Sequence, residues 1–165
     1  MSYTIDTRNL AEIRKEIKDA ILQKLQDARG NALSAVVSVV YGDQMEVGTI
    51  EEMPVVWILP VSHQPELKGG HTAIHDFIFD FVVMVHDLES TSGKELAEEL
   101  TARVYDVIVS DRTLEKKVFD VRALNFDPSM KQSLIPMCIG QVVNLLFGFN
   151  EGNKNIIKNR NVYFH

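Results

Sequence analysis

The chain has one cysteine, Cys138, so it can form no internal disulfide and its fold must rest on a packed core. Five prolines and nine glycines among 165 residues are too few for a collagen-like or low-complexity chain. Long apolar runs are missing as well. Val82–Val85 and Leu145–Phe147 fall far short of the ~20 residues that span a bilayer. Basic residues are outnumbered, 17 Lys and Arg against 23 Asp and Glu, for a net charge of −6. That balance argues against a general nucleic-acid binder, which needs a basic footprint to neutralise phosphates, and it gives no support for docking on an anionic membrane. Met1–Asp6 has neither the basic region nor the apolar core of a signal peptide. The expectation is synthesis in a reducing cytoplasm.

What is present suits one soluble domain. The composition is 45% apolar and 24% charged, and a chain of this size can bury a self-sufficient core. Leu10, Ile13, Ile17, Ile21, Leu25 and Ala28 recur at spacings of three and four, which predicts a helix from Asn9 to Arg29. Asn9 with Glu12 resembles a capping box, and Gly30 stands where a C-terminal cap belongs. Val36–Tyr41 and Glu46–Ile50 flank Gly42–Met45 and read as a hairpin. Pro54 and Pro60 bracket Val55–Leu59, a short buried strand. Val61–His71, with Pro65, Gly69 and Gly70, reads as a long loop.

Thr72–His86 is the longest strand candidate. Phe77, Phe79, Phe81, Val83 and Val85 alternate onto one dry face, and Ile74, Asp76, Ile78, Asp80, Val82, Met84 and His86 onto a mixed one. Ser92 and Glu95 open a second helix, striped by Leu96, Leu100, Val104, Val107 and Ile108, that ends near Ser110-Asp111. Lys117–Phe126 and Met137–Phe149 read as a closing hairpin whose tip is a loop over Asp127–Pro136. Residues 1–149 form one domain in this reading. Asn150–His165, rich in asparagine and basic residues, reads as a C-terminal arm. The fold class expected is α+β, a mainly antiparallel sheet packed by two amphipathic helices in the order α-ββ-β-β-α-β-β.

Motifs that carry chemistry are scarce. Lys68-Gly69-Gly70-His71 lacks the Lys-Ser/Thr and the strand–loop–helix setting of a P-loop. His71 and His75 lie four apart on a strand, roughly 13 Å, too far to share a metal ion. Asp76 and Asp80 have the same spacing, wider than the ~6.5–9.5 Å of paired catalytic carboxylates. Cys138 alternates with Met137 and Ile139 and has no basic neighbour in sequence to activate it, so it reads as a structural thiol. Phe77, Phe79 and Phe81 lack interleaved Lys or Arg and read as core instead of a base-stacking platform. Trp57, in the most apolar strand, reads as core too. The expectation is a non-enzymatic protein with no catalytic, metal or cofactor-binding residue.

The order of elements resembles the tail terminator, or tail-completion, proteins of long-tailed bacteriophages. The likeness rests on an amphipathic first helix, the Pro-bounded strand Met53–Pro60, the long strand His75–Val85, the helix Lys94–Val109 and the closing hairpin Lys117–Phe149. It covers roughly residues 7–149. The hairpin at Val36–Ile50 elaborates the pattern, and the segment after Phe149 has no equivalent in it. The resemblance implies a virion protein of the tail or neck, assembled in the host cytoplasm. It would form a homo-oligomeric ring, commonly a hexamer, on the end of the tail tube, stop tube polymerisation and present a head–tail joining surface. Its implied partners are itself, the tail tube protein and the head connector or neck protein. DNA would pass through the lumen without specific binding, as an acidic lining would favour, and no membrane would be involved.

Ring formation needs one patch on each subunit to meet a different patch on the next. Asp76, Ile78, Asp80, Val82 and Met84, too apolar for a fully wet face, are the subunit-interface candidates. Glu66, Lys68 and His71 in one loop, and Lys131 and Gln132 in the other, are the tube- or connector-contact candidates. Two alternatives stand beside this reading. One is another head-completion or neck connector subunit. The other is a small α+β enzyme or ligand-binding module that uses His71, His75, Asp76 or Asp80.

Overall fold

Asn9 sets the start of the first helix. Its backbone is extended, its side chain accepts a hydrogen bond from the Glu12 amide at 2.9 Å, and its Nδ2 donates to Glu12 Oε1 at 3.2 Å. Two groups at the helix entrance are thereby paired across one turn, as the sequence predicts. In this computed structural model, which describes residues 8–42, 53–68, 72–86, 90–132 and 138–150, the helix is α1, Leu10–Ala28. Ile13, Ile17, Ile21, Leu25 and Ala28 are buried along one stripe. The C-terminal end differs from expectation, because Gly30 does not adopt a left-handed cap. Arg29 stays right-handed and the chain continues in turns that seat buried Leu33, whose amide donates to Ala28 O. The Arg29 guanidinium then donates to Val36 O and Val37 O, tying the helix end to the residues that lead into the first strand.

The remaining elements are β1 (Ser38–Tyr41), β2 (Val55–Lys68), β3 (Thr72–His86), α2 (Ser90–Val109), β4 (Asp120–Gln132) and β5 (Cys138–Asn150). The strands form one sheet in the order β1-β2-β3-β5-β4, antiparallel throughout except that β1 runs parallel to β2. Both helices contribute to the same core, so the molecule is an α+β layer pair with a mainly antiparallel sheet. The core joins Ile13, Ile17, Ile21 and Leu25 of α1, Leu100, Val104 and Ile108 of α2, and Phe77, Phe79, Phe81 and Phe147 of the sheet. Phe79 meets Phe147 edge-on, with centroids 5.5 Å apart.

Several expectations are corrected. The segment Val61–His71 is not a loop: Val61–Lys68 continues β2, and Lys68 pairs with Thr72. Pro60 and Pro65 favour a break by local preference, but β2 has no strand neighbour on its outer side beyond Ile58 among the described residues. Proline is tolerated on such an edge. Ser38–Tyr41 joins the sheet beside Val55–Ile58; the second arm of the expected hairpin, Glu46–Ile50, lies outside the described residues. Helix α2 begins at Ser90, so Ser92 sits inside its first turn instead of capping it. Strand β4 starts at Asp120 and runs through Asp127 and Pro128 to Gln132, because extra residues at Leu124 and between Asp127 and Lys131 are accommodated as irregularities of register. Asn150, expected in the arm, ends β5 opposite Ile74, and residues 151–165 lie outside the described residues.

The irregularity in β2 decides which side chains face the helices. Ile58 pairs with Phe81 and Pro60 with Phe79; then one residue, Val61, has no partner, and His63 pairs with Phe77. Val56 and Ile58 face the core before the bulge and His63 takes the same side after it, since one extra residue inverts a period of two.

Candidate functional site

The interface candidates of β3 lie on the sheet face away from the helices. Cross-strand ladders run over this face: Trp57–Val82–Val142, Asp80–Asn144, Ile78–Leu146 and Asp76–Gly148. Met53, Val55 and Met84 form a second, smaller apolar cluster there, with Val40, Trp57 and Val82 packed against it. Trp57, read as core, belongs to this cluster, and its indole N–H donates to Gly42 O at 2.8 Å. Ile78 and Met84 are buried within the subunit, at 7% and 6% exposure, while Asp76, Asp80 and Val82 are half-buried. Asp80 is not a free acid, since Asn144 Nδ2 donates to its Oδ1 at 2.7 Å. Asp76 and Asp80 stay apart in the register, opposite Gly148 and Asn144.

The contact-loop candidates are placed differently from expectation. Glu66 and Lys68 belong to β2, opposite Ile74 and Thr72, and Lys131 and Gln132 belong to β4, opposite Gly140 and Ile139. His71 lies outside the described residues, and so does the side chain of Cys138, the first residue of β5. Phe77, Phe79 and Phe81 are at most 1% exposed, which makes them core.

The structure assembles one polar group that the sequence did not reveal. His63 Nε2 lies 2.7 Å from His75 Nδ1, and the Arg14 guanidinium of α1 lies 3.3 Å from His63 Nδ1. Guanidinium only donates, so His63 Nδ1 is the acceptor. A neutral His63 then carries its proton on Nε2 and donates to His75 Nδ1, a tautomer assigned from this geometry. His63 also stacks on Phe77, with centroids 4.4 Å apart, and Arg14 sits 5.8 Å from the same ring. A cleft of about 120 Å³ opens here, lined by Arg14, Pro60, Val61, Ser62, His63 and Phe77 among others. The arrangement carries a chain of donors from the surface to a ring only 4% exposed and ties α1 to the β2–β3 pair. Among the described residues no group of three or more His, Cys, Asp and Glu is placed to hold a metal ion. A glycine pair between two extended runs is the sequence signal for a hairpin, and the antiparallel pairing of β2 with β3 sets His63 diagonal to His75.

A wider groove of about 510 Å³ separates the C-terminal half of α1 from α2, with Lys24, Asp27, Arg103 and Asp106 on its walls. Arg103 ties α2 to the turn after α1: it pairs with Glu99 of its own helix at 2.7 Å and donates to Ala32 O at 3.0 Å. At the end of α2 the Asp111 carboxylate accepts from the amides of Thr113 and Glu115 and from the Thr113 hydroxyl. The Glu115 amide, followed by the Thr113 contacts, holds that carboxyl below the usual aspartate value.

Exposed large apolar side chains sit at the two opposite edges of the sheet. Val37 and Val61 lie beside β1 and on β2, and Phe119 and Leu124 lie before and on β4; each is 44–51% exposed. Among the described residues no helix is long and apolar enough to cross a membrane. A scan of protein-family models finds none that matches the chain, and a search of curated proteins finds none similar to it.

Proposed function

We propose that this chain is a structural subunit of a tailed phage that forms a ring on the end of the tail tube, stops its growth and presents the surface that joins the head. The observation that carries the ring is the placement of exposed apolar side chains. A heterologous contact that closes on itself needs two different patches on each subunit. Val37 and Val61 at one sheet edge, and Phe119 and Leu124 at the other, supply such a pair. The contact would run through side chains more than through a continued sheet, because Pro60 and Pro65 leave gaps in the donors along the outer edge of β2. The order of elements, from the capped first helix through a long central strand pair to the closing β4–β5 pair, supports the tail-terminator reading in particular. In this role the half-buried Asp76 and Asp80 add to an acidic balance that would not retain passing DNA.

The test adds purified chain to polymerising tail-tube subunits. Growth should halt with one tube end decorated in negative stain, and growth at an unchanged rate would overturn the reading. Val61→Asp should leave the fold within about 0.5 kcal/mol of the parent, as expected for an exposed position. Phe119→Asp removes a ring that rests on Gly148 and should cost about 1 kcal/mol. Both should abolish tube capping. Capping that survives both substitutions would remove the two-edge contact.

A further inference from the structure

The segment joining α2 to β4 holds the least favourable backbone among the described residues. Leu114, Glu115 and Lys116 have φ of 48°, 55° and 67°, three successive non-glycine residues in a region that L residues normally enter singly. Leu114 is 1% exposed and belongs to the main core, so the turn is anchored at its first left-handed residue. The backbone closes part of the turn, with the Leu114 amide donating to Asp111 O at 3.1 Å and the Lys117 amide to Leu114 O at 3.2 Å, and the Asp111 side chain ties in the residues between. Asp111 Oδ2 accepts from the Glu115 amide at 2.7 Å, and Oδ1 accepts from the Thr113 amide at 3.1 Å and hydroxyl at 2.8 Å. Thr113 passes the constraint on, since its hydroxyl accepts from the Lys116 amide at 3.3 Å and its carbonyl from the Val118 amide at 3.1 Å. Directly after the turn, the Phe119 amide donates to Gly148 O at 2.9 Å, and Arg112 donates to Val121 O at 3.0 Å.

We propose that this turn is a strained clasp: the Asp111 carboxylate holds the left-handed residues shut and so fixes the start of edge strand β4, and its loss lets residues 111–124 open locally while the rest of the sheet stays folded. Strain of this kind persists only where surrounding contacts over-determine it, and here three of the hydrogen bonds converge on a single carboxylate. The opening must also release Leu114, Val118 and Val121 from the core, so it is sub-global, with a free energy between that of fraying and that of global unfolding. The charged groups facing Asp111 come from each neighbouring element. Lys24 of α1 is 3.9 Å away, Asp106 and Arg103 of α2 line the adjoining groove with Asp27, and Arg112 pairs with Asp120 of β4 at 4.0 Å. Within the turn lie Glu115 and Lys116. The fold lowers the pKa of Asp111, so its contribution is complete above the unfolded value of about 3.9 and is lost as pH falls through the folded value below it. The clasp is therefore shut at neutral pH and acid-labile only below about pH 4.

The test is residue-resolved amide hydrogen exchange on the full chain at neutral pH, with limited proteolysis beside it. Asp111→Asn removes the charge and one acceptor. It should speed exchange of the Glu115 and Lys116 amides roughly tenfold and create a cleavage site within residues 112–124, with exchange of the β3 amides unchanged. Glu115→Gly, which frees one left-handed position of its Cβ, should slow exchange in the turn and raise the thermal midpoint. Unchanged exchange in Asp111→Asn, acceleration spread equally over the sheet, or a lowered midpoint in Glu115→Gly would each overturn the clasp.

Discussion

The two faces of the sheet are built from the same strands and held together differently. The face under the helices is mainly apolar: Phe77, Phe79, Phe81, Val83, Leu145 and Phe147 are all at most 1% exposed and meet the stripes of α1 and α2, with His75 and Gln141 as buried polar members. The other face mixes a small apolar cluster with individual polar pairings, Asn144 on Asp80 and Trp57 on Gly42 O. One face therefore draws on area removed from water, and the other on a few directional contacts. The first should respond to lost volume and the second to lost partners.

The largest expected effect breaks the helix-side face. Phe79→Ala removes a ring that contacts Phe147 edge-on in a site with no exposure to speak of, and it should cost about 3–5 kcal/mol. Val82→Ala, half-buried on the far face beside Trp57, should cost well under half as much. Urea denaturation of the two variants measures the contrast, and equal losses would erase the distinction between the faces.

The next effect tests the directional contact. Asn144→Ala takes the donor from a half-buried Asp80 carboxylate, at a cost of about 1 kcal/mol because water can reach part of the site. Asn144→Asp should be worse at neutral pH, since it sets two carboxylates opposite each other across the strands. Denaturation at neutral pH decides the order, and an Asp variant as stable as the Ala variant would show that the pairing carries no electrostatic weight.

The helices and the two central strands were far more legible in sequence than β2. A helix announces itself by a stripe and a cap, and Ile13, Ile17, Ile21 and Leu25 behind Asn9 needed nothing from the rest of the chain. The alternation of β3 and β5 was equally readable, because neither strand contains a bulge and both are paired on two sides. Strand β2 was hidden beyond Leu59. Its two prolines are the residues of a loop by local preference, and the unpaired Val61 inverts the period that would have identified a strand. The candidate site suffered most from this. The His63–His75 contact depends on the register of β2 against β3, and register is a property of two segments that neither displays alone. Asp76, Ile78, Asp80, Val82 and Met84 were correctly grouped on one face, yet their individual burial depends on neighbours across the strands.

A steric coupling sharpens the comparison where the far face meets an edge. Gly148 pairs with Asp76 on β3 and with Asp120 on β4, and the Phe119 ring lies directly over it. A Cβ on residue 148 would stand 2.8 Å from Phe119 Cζ, closer than two carbons can approach. The obstructing atom is the tip of a ring that is 48% exposed, so the ring can swing aside and the backbone need not move. Gly148→Ala should therefore cost only about 1 kcal/mol, the low end for an overpacked site. Combining it with Phe119→Ala should make the alanine at 148 neutral or mildly favourable, since the clash is gone and alanine suits a strand better than glycine. A double-mutant cycle by thermal denaturation measures this coupling. If Gly148→Ala costs as much with Phe119 absent as with it present, the glycine is kept for the backbone of β5, and the ring rests there without being accommodated.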